Sequence, residues 1–85
     1  MILLFAGATM VYTPEQCEEL KILSLFNPLS PHAGIKVHAS AKAEAISATR
    51  RLYEKGLVTQ VDGGYLTRIG QQAAEHVHQL RTLLS

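Results

Sequence analysis

The chain has one cysteine, Cys17, among its 85 residues. A single cysteine excludes an internal disulfide framework and favours a reducing, cytoplasmic compartment. A large net charge is also lacking, because eight Lys and Arg residues against seven Asp and Glu residues give +1. The overall charge therefore gives no argument for a nucleic-acid partner. The hydrophobic fraction of 47% is ordinary for a globular domain and argues against disorder.

Long apolar runs and catalytic motifs are lacking as well. Residues 1–9 are uncharged, but they are shorter than the roughly 20 residues of a membrane span and lack the basic start of a secretory signal. We therefore expect no membrane partner. No paired carboxylates, nucleophile motif or glycine-rich phosphate loop is present, so we expect a non-enzymatic protein without a cofactor. His76 and His78 are two residues apart on a predicted helix and point in different directions, so we expect no metal site.

Length and composition predict one domain over residues 11–85, preceded by an N-terminal extension over residues 1–10. Two interpretations of the extension remain. In the first, Met10 is the native start and the preceding residues are an upstream addition. In the second, those residues form a short edge strand or an ordered arm.

The first helix has a well-marked start. Thr13 can cap it, Pro14 suits its first position and Gln16 completes a capping box. The helix is predicted to end at Asn27-Pro28, because the residue before a proline is disfavoured in helical geometry. Apolar spacing predicts that its buried stripe contains Cys17, Leu20, Ile22, Leu23, Leu25 and Phe26.

Two more helices follow a loop that contains Pro28, Pro31 and Gly34. Ile35–Val37 alternates apolar and basic residues and is typical of a very short strand. Ser40 is a candidate cap for a second helix over Ala41–Lys55, which Gly56 would end. Its predicted buried residues are Ala45, Ile46, Thr49, Leu52 and Tyr53. A third helix is predicted over Arg68–Leu84 with Thr67 as its cap, and its predicted buried residues are Ile69, Ala73, Val77, Leu80 and Leu84.

The segment between the second and third helices predicts a β-hairpin. Residues 57–61 are rich in strand formers, and Asp62-Gly63-Gly64 can provide the positive φ angles of a tight turn. Tyr65-Leu66 would then form the second strand of the hairpin. The sequence therefore predicts an α+β, mostly helical fold with the order helix, short strand, helix, hairpin, C-terminal helix.

Residues 45–84 resemble the wing half of bacterial winged-helix regulators, a helix-turn-helix class. The likeness rests on two runs, residues 52–58, which contain Lys55-Gly56-Leu57, and residues 62–70, which contain the glycine turn and Leu66-Thr67-Arg68-Ile69-Gly70. The whole chain also resembles a small family of uncharacterised bacterial proteins. The first resemblance implies a winged-helix fold and double-stranded DNA as a partner. The usual positioning helix before the recognition helix has no counterpart in residues 27–40.

Charge is unevenly distributed along the chain. Residues 36–68 carry a net charge of +3 and the remainder carries −2, which is compatible with one electropositive face or with a mixed solvated surface. For DNA binding we predict Ser47, Arg50 and Arg51 on the second helix, where arginines can grip bases or phosphates. Three more cations, Lys36, Lys42 and Arg68, are predicted to contact phosphates and complete the set. In the alternative, Arg50 and Arg51 only solubilise the helix and pair with Glu44 or Glu54.

The third helix has more apolar residues than a small core needs. Val77, Leu80, Leu83 and Leu84 predict a homodimer interface, and the alternative is that this helix packs on the first helix within one chain. A rival function is a protein-interaction module without DNA contact. That module would use the third helix together with apolar residues around Leu29, Ile35 and Val37.

Overall fold

The computed structural model, which describes residues 11–30 and 32–85, contains three helices and a small three-stranded antiparallel sheet. The helices are α1 (Pro14–Leu25), α2 (Ala43–Glu54) and α3 (Arg68–Leu84), and the strands are β1 (Ile35–Lys36), β2 (Val58–Gln60) and β3 (Gly63–Leu66). The predicted order of helix, strand, helix, hairpin and helix is confirmed. The sheet order is β1-β3-β2. The proposed extension 1–10 lies outside the described residues.

Local capping explains where α1 and α3 begin. The backbone N–H of Gln16 donates to the Thr13 hydroxyl at 3.0 Å, and the Thr13 N–H donates to the Gln16 side chain at 2.9 Å, which completes the predicted capping box. The Thr67 hydroxyl accepts from the Gly70 N–H at 3.0 Å in the same way. Both predicted caps are confirmed.

The second helix differs from its prediction at the start and agrees at the end. It begins at Ala43, because residues 39–40 form a turn closed by the Ala41 N–H on the His38 carbonyl, and Ser40 does not cap it. At its end Gly56 has φ of +79°, and the N–H of Leu57 donates to the carbonyl of Leu52 at 2.9 Å. This is a Schellman ending, which favours glycine at that position.

The hairpin is confirmed, but its turn lies earlier than predicted. Val61-Asp62 makes the turn, whereas Gly63 and Gly64 lie within β3 with φ of +121° and +72°. Val58 pairs with Leu66 and Gln60 pairs with Gly63, so β3 holds one extra residue in a bulge. The glycines therefore serve the bulge and the close pairing with β1 rather than the turn itself.

The core lies between α1, α2 and the hairpin, and its apolar members are buried. They are Ile22, Leu23 and Phe26 of α1, Ala48 and Leu52 of α2, and Val58 of β2. Burying each large side chain contributes about 1.5–3 kcal/mol relative to exposure. Ala74 of α3 is also fully buried.

Several predicted core positions were wrong. Leu25 is 64% exposed and Tyr53 is 46% exposed, because α1 and α2 meet through the faces centred on Leu23 and on Ala48 and Leu52. On α3 the buried line runs through Gly70 and Ala74, so Ile69, Leu80 and Leu84 are exposed instead. Small residues on that line let α3 approach the chain at Leu57 closely.

Candidate nucleic-acid interface

Residues 37–42, between β1 and α2, form a turn and a bend and no helix. The end of β1 is instead tied to the hairpin turn, because the Val37 N–H donates to the Asp62 carbonyl at 2.8 Å. Beneath it, Thr49 is fully buried and its hydroxyl donates to the Ala45 carbonyl at 2.7 Å. The first contact holds the end of β1 against the hairpin turn, and the second satisfies the buried Thr49 hydroxyl within α2.

A groove of about 470 Å³ opens between these three elements. We name it the cationic groove, and its lining residues are Lys36, Val37, His38, Ala39, Ile46, Thr49, Arg50, Val61 and Asp62. Lys36 and Arg50 are exposed and lie at its edge from opposite elements. Neither forms a salt bridge with an acidic side chain among residues 11–30 and 32–85. Asp62 is the acidic residue of the groove.

Ser47 and Arg51 lie on another side of α2, in a groove shared with acidic residues of α1. The Nε of Arg51 donates to Glu19 at 3.0 Å, and its second guanidinium nitrogen donates to the Glu15 carbonyl at 3.2 Å. Lys55 also pairs with Glu19. Arg51 therefore joins α2 to α1, and its expected partners Glu44 and Glu54 are not those it uses.

Glu19 was missed as a structural residue, although it is only 6% exposed. Burial alone would raise the pKa of its carboxyl, but hydrogen bonds from Lys55 and Arg51 outweigh burial and leave that pKa below its ordinary value. A sequence signal was available. Glu19 precedes Ile22, Leu23 and Phe26 by three, four and seven residues, which places it on the buried face of α1.

The other predicted cations lie in neither of these two grooves. Lys42 is the exposed residue immediately before α2, and Arg68 is the exposed first residue of α3. The structure thus brings Lys36 and Arg50 together, and it places Ser47 and Arg51 apart from them. His38 is an addition to the predicted set.

The predicted dimer residues also divide between two grooves. Val77, Leu80 and Leu84 line an apolar groove of about 560 Å³ between α1 and α3. Leu83 lies in a second groove with Leu29, beside the loop that follows α1. In contrast, Ile35 and Val37, which the rival interaction module would use, pack partly buried against the core.

Comparisons with known proteins add a family and no function. In the part of the chain that the structure describes, no helix has the length and apolarity to span a bilayer. Neither a curated protein nor a solved structure matches the chain. A match to the family of unknown function DUF5669 covers residues 10–85, and the chain therefore belongs to that family.

Proposed function

We propose that this protein binds double-stranded DNA without catalysing a reaction, through the outer face of α2 and the adjoining cationic groove. The observation that carries the proposal is the placement of Lys36 and Arg50, two exposed cations without acidic partners among the described residues, on either side of one groove. Phosphate oxygens are the ligands that such a pair recognises in a duplex.

The resemblance to winged-helix regulators supports DNA as the partner class, and the fold suggests how α2 is braced. The Val37 contact to Asp62 ties the end of β1 to the hairpin turn, and the ion pairs of Glu19 with Arg51 and Lys55 hold α2 against α1. In this proposal these contacts replace the absent positioning helix. Arg50 then faces the duplex, with Lys42 just before the start of α2, whereas Ser47 lies in the groove that α2 shares with α1.

The small number of cations sets the expected strength of binding. Two phosphate contacts predict a slope of log Kobs against log salt of about −2, so affinity would fall about tenfold between 50 and 200 mM salt. This is a weak, salt-sensitive mode without strong sequence preference. Arg51 contributes nothing to it, because its guanidinium is engaged by Glu19.

Fluorescence anisotropy with a labelled random duplex at low salt tests the proposal. We expect Arg50→Ala and Lys36→Ala each to weaken binding and to reduce the salt slope by about 1. Arg81→Ala is the matched control, since it removes the same charge from α3, which does not line the cationic groove. Equal effects of Arg50→Ala and Arg81→Ala, or no salt-sensitive binding, would contradict the proposal and favour the interaction module.

A further inference from the structure

The cationic groove contains an imidazole as well as its two cations. Ile35 and Val37 pack partly buried against the core, whereas Lys36 and His38 are exposed. Alternate residues of an extended segment point to the same side, so the side chains of Lys36 and His38 lie together on the outer side of this segment. Both line the groove, and Arg50 lines it from α2.

Main-chain hydrogen bonds hold His38 in this position. One residue earlier, the Val37 N–H donates to the Asp62 carbonyl at 2.8 Å, and the carbonyl of His38 itself accepts the Ala41 N–H at 2.9 Å. Neither contact uses the imidazole ring. The exposed ring can therefore meet a ligand in the groove, and a substitution of the side chain leaves both contacts in place.

Protonation of His38 changes the charge of the groove. Its titratable lining residues are Lys36, His38, Arg50 and Asp62. With a neutral imidazole, two cations against one carboxylate give +1, and with an imidazolium the sum is +2. Histidine is the side chain whose charge ordinarily changes between about pH 5 and 8, whereas lysine, arginine and carboxylate side chains keep their charges over that range.

We propose that His38 is a third phosphate-binding residue of the cationic groove, and that protonation of its imidazole strengthens DNA binding. This inference rests on the proposed function, in which Lys36 and Arg50 contact the duplex backbone. A protonated imidazole donates through both ring nitrogens, and such charge-assisted hydrogen bonds to phosphate are stronger than those of a neutral donor. A neutral ring neutralises no phosphate and so releases no counterion.

Salt dependence measures the added cation directly. At about pH 8 the slope of log Kobs against log salt is about −2, and at about pH 5.5 a third contact brings it to about −3. Affinity then falls about fortyfold between 50 and 200 mM salt, rather than about tenfold. Because a single exposed ion pair is weak, we expect only about three- to fivefold tighter binding at the lower pH in low salt.

Fluorescence anisotropy of the full chain with the labelled random duplex, at about pH 5.5 and pH 8, tests this assignment. We expect His38→Gln to lose the gain at low pH and to give a slope near −2 at both pH values. His38→Lys keeps a positive charge throughout, so we expect a slope near −3 at both. His76→Gln is the matched control, because it removes another exposed histidine, which lines the α1–α3 groove, and should keep the pH dependence of the wild type.

The outcomes separate this inference from the proposed function. Circular dichroism at both pH values first establishes that each variant is folded. If His38→Gln keeps the pH dependence of the wild type, or if wild-type binding does not change with pH, while Arg50→Ala still weakens binding, the role of His38 is refuted and the proposed function stands. If the wild type shows no salt-sensitive binding at either pH, both are refuted.

Discussion

Gly70, in the first turn of α3, is a position where one added methyl group tests the packing of the whole domain. A Cβ at this position would lie 1.8 Å from the carbonyl oxygen of Leu57 and 2.8 Å from its carbonyl carbon. The same oxygen accepts the backbone N–H of Thr67 at 3.1 Å. It therefore cannot move away without weakening the junction between the hairpin and α3.

The magnitude of Gly70→Ala follows from two opposing effects. Alanine is favoured over glycine within a helix by about 1 kcal/mol. Against this, α3 and Leu57 must separate by more than 1 Å to relieve a backbone contact, and overpacking with backbone shifts costs about 1–3 kcal/mol and sometimes more. We take the cost of this separation as about 3–4 kcal/mol, because the obstacle is a backbone carbonyl and not a flexible side chain. Subtracting the helix preference of alanine leaves a net destabilisation of about 2–3 kcal/mol. For a chain of this length that lowers the Tm by about 10–20 °C.

Urea and thermal unfolding followed by circular dichroism measure this loss. Gly56→Ala is the control, because its Cβ has nothing within 4 Å and only the φ of +79° opposes it. We expect Gly56→Ala to cost about 1–2 kcal/mol, the strain of a left-handed residue. If Gly70→Ala is as stable as the wild type or more stable, the close approach of α3 to Leu57 is refuted.

Two further predictions concern the helix junctions. In Glu19→Gln, Arg51 and Lys55 lose their carboxylate partner, and because both cations are partly exposed we expect a loss of about 1–2 kcal/mol at pH 7. The lowered pKa of Glu19 means that the wild type has this stability above the ordinary value of 4.5 and loses it as pH falls through the folded-state pKa. Urea unfolding between pH 3 and 7 should therefore be flatter for the variant, and parallel profiles would contradict the assignment. Thr67→Ala removes the cap of α3 and also the hydrogen bond that the Thr67 hydroxyl donates to the Gly56 carbonyl at 2.6 Å. We expect this to lower the free energy of unfolding by about 1–2 kcal/mol. Thr67→Ser should restore most of it in thermal unfolding, and a serine variant as unstable as the alanine variant would argue against a hydroxyl role.

The sequence predicted the elements well where their signals are local. The Thr13 and Thr67 caps and the Gly56 ending each depend on hydrogen bonds to residues no more than a few positions away, or on the residue's own φ. The hairpin followed from strand formers and glycines, although its turn lies earlier than predicted, at Val61-Asp62. Local chemistry therefore fixed the order of elements and most of their bounds.

The faces of the helices were less predictable, because the rotation of a helix depends on its partners. Apolar spacing alone fits several rotations, so Leu25 and Tyr53 were placed in the core and are exposed. The contact of Arg51 with Glu19 joins residues 32 apart in the chain. A pairing with Glu54, three residues later in α2, was the natural expectation for this arginine, and the packing of α1 on α2 replaces it with Glu19.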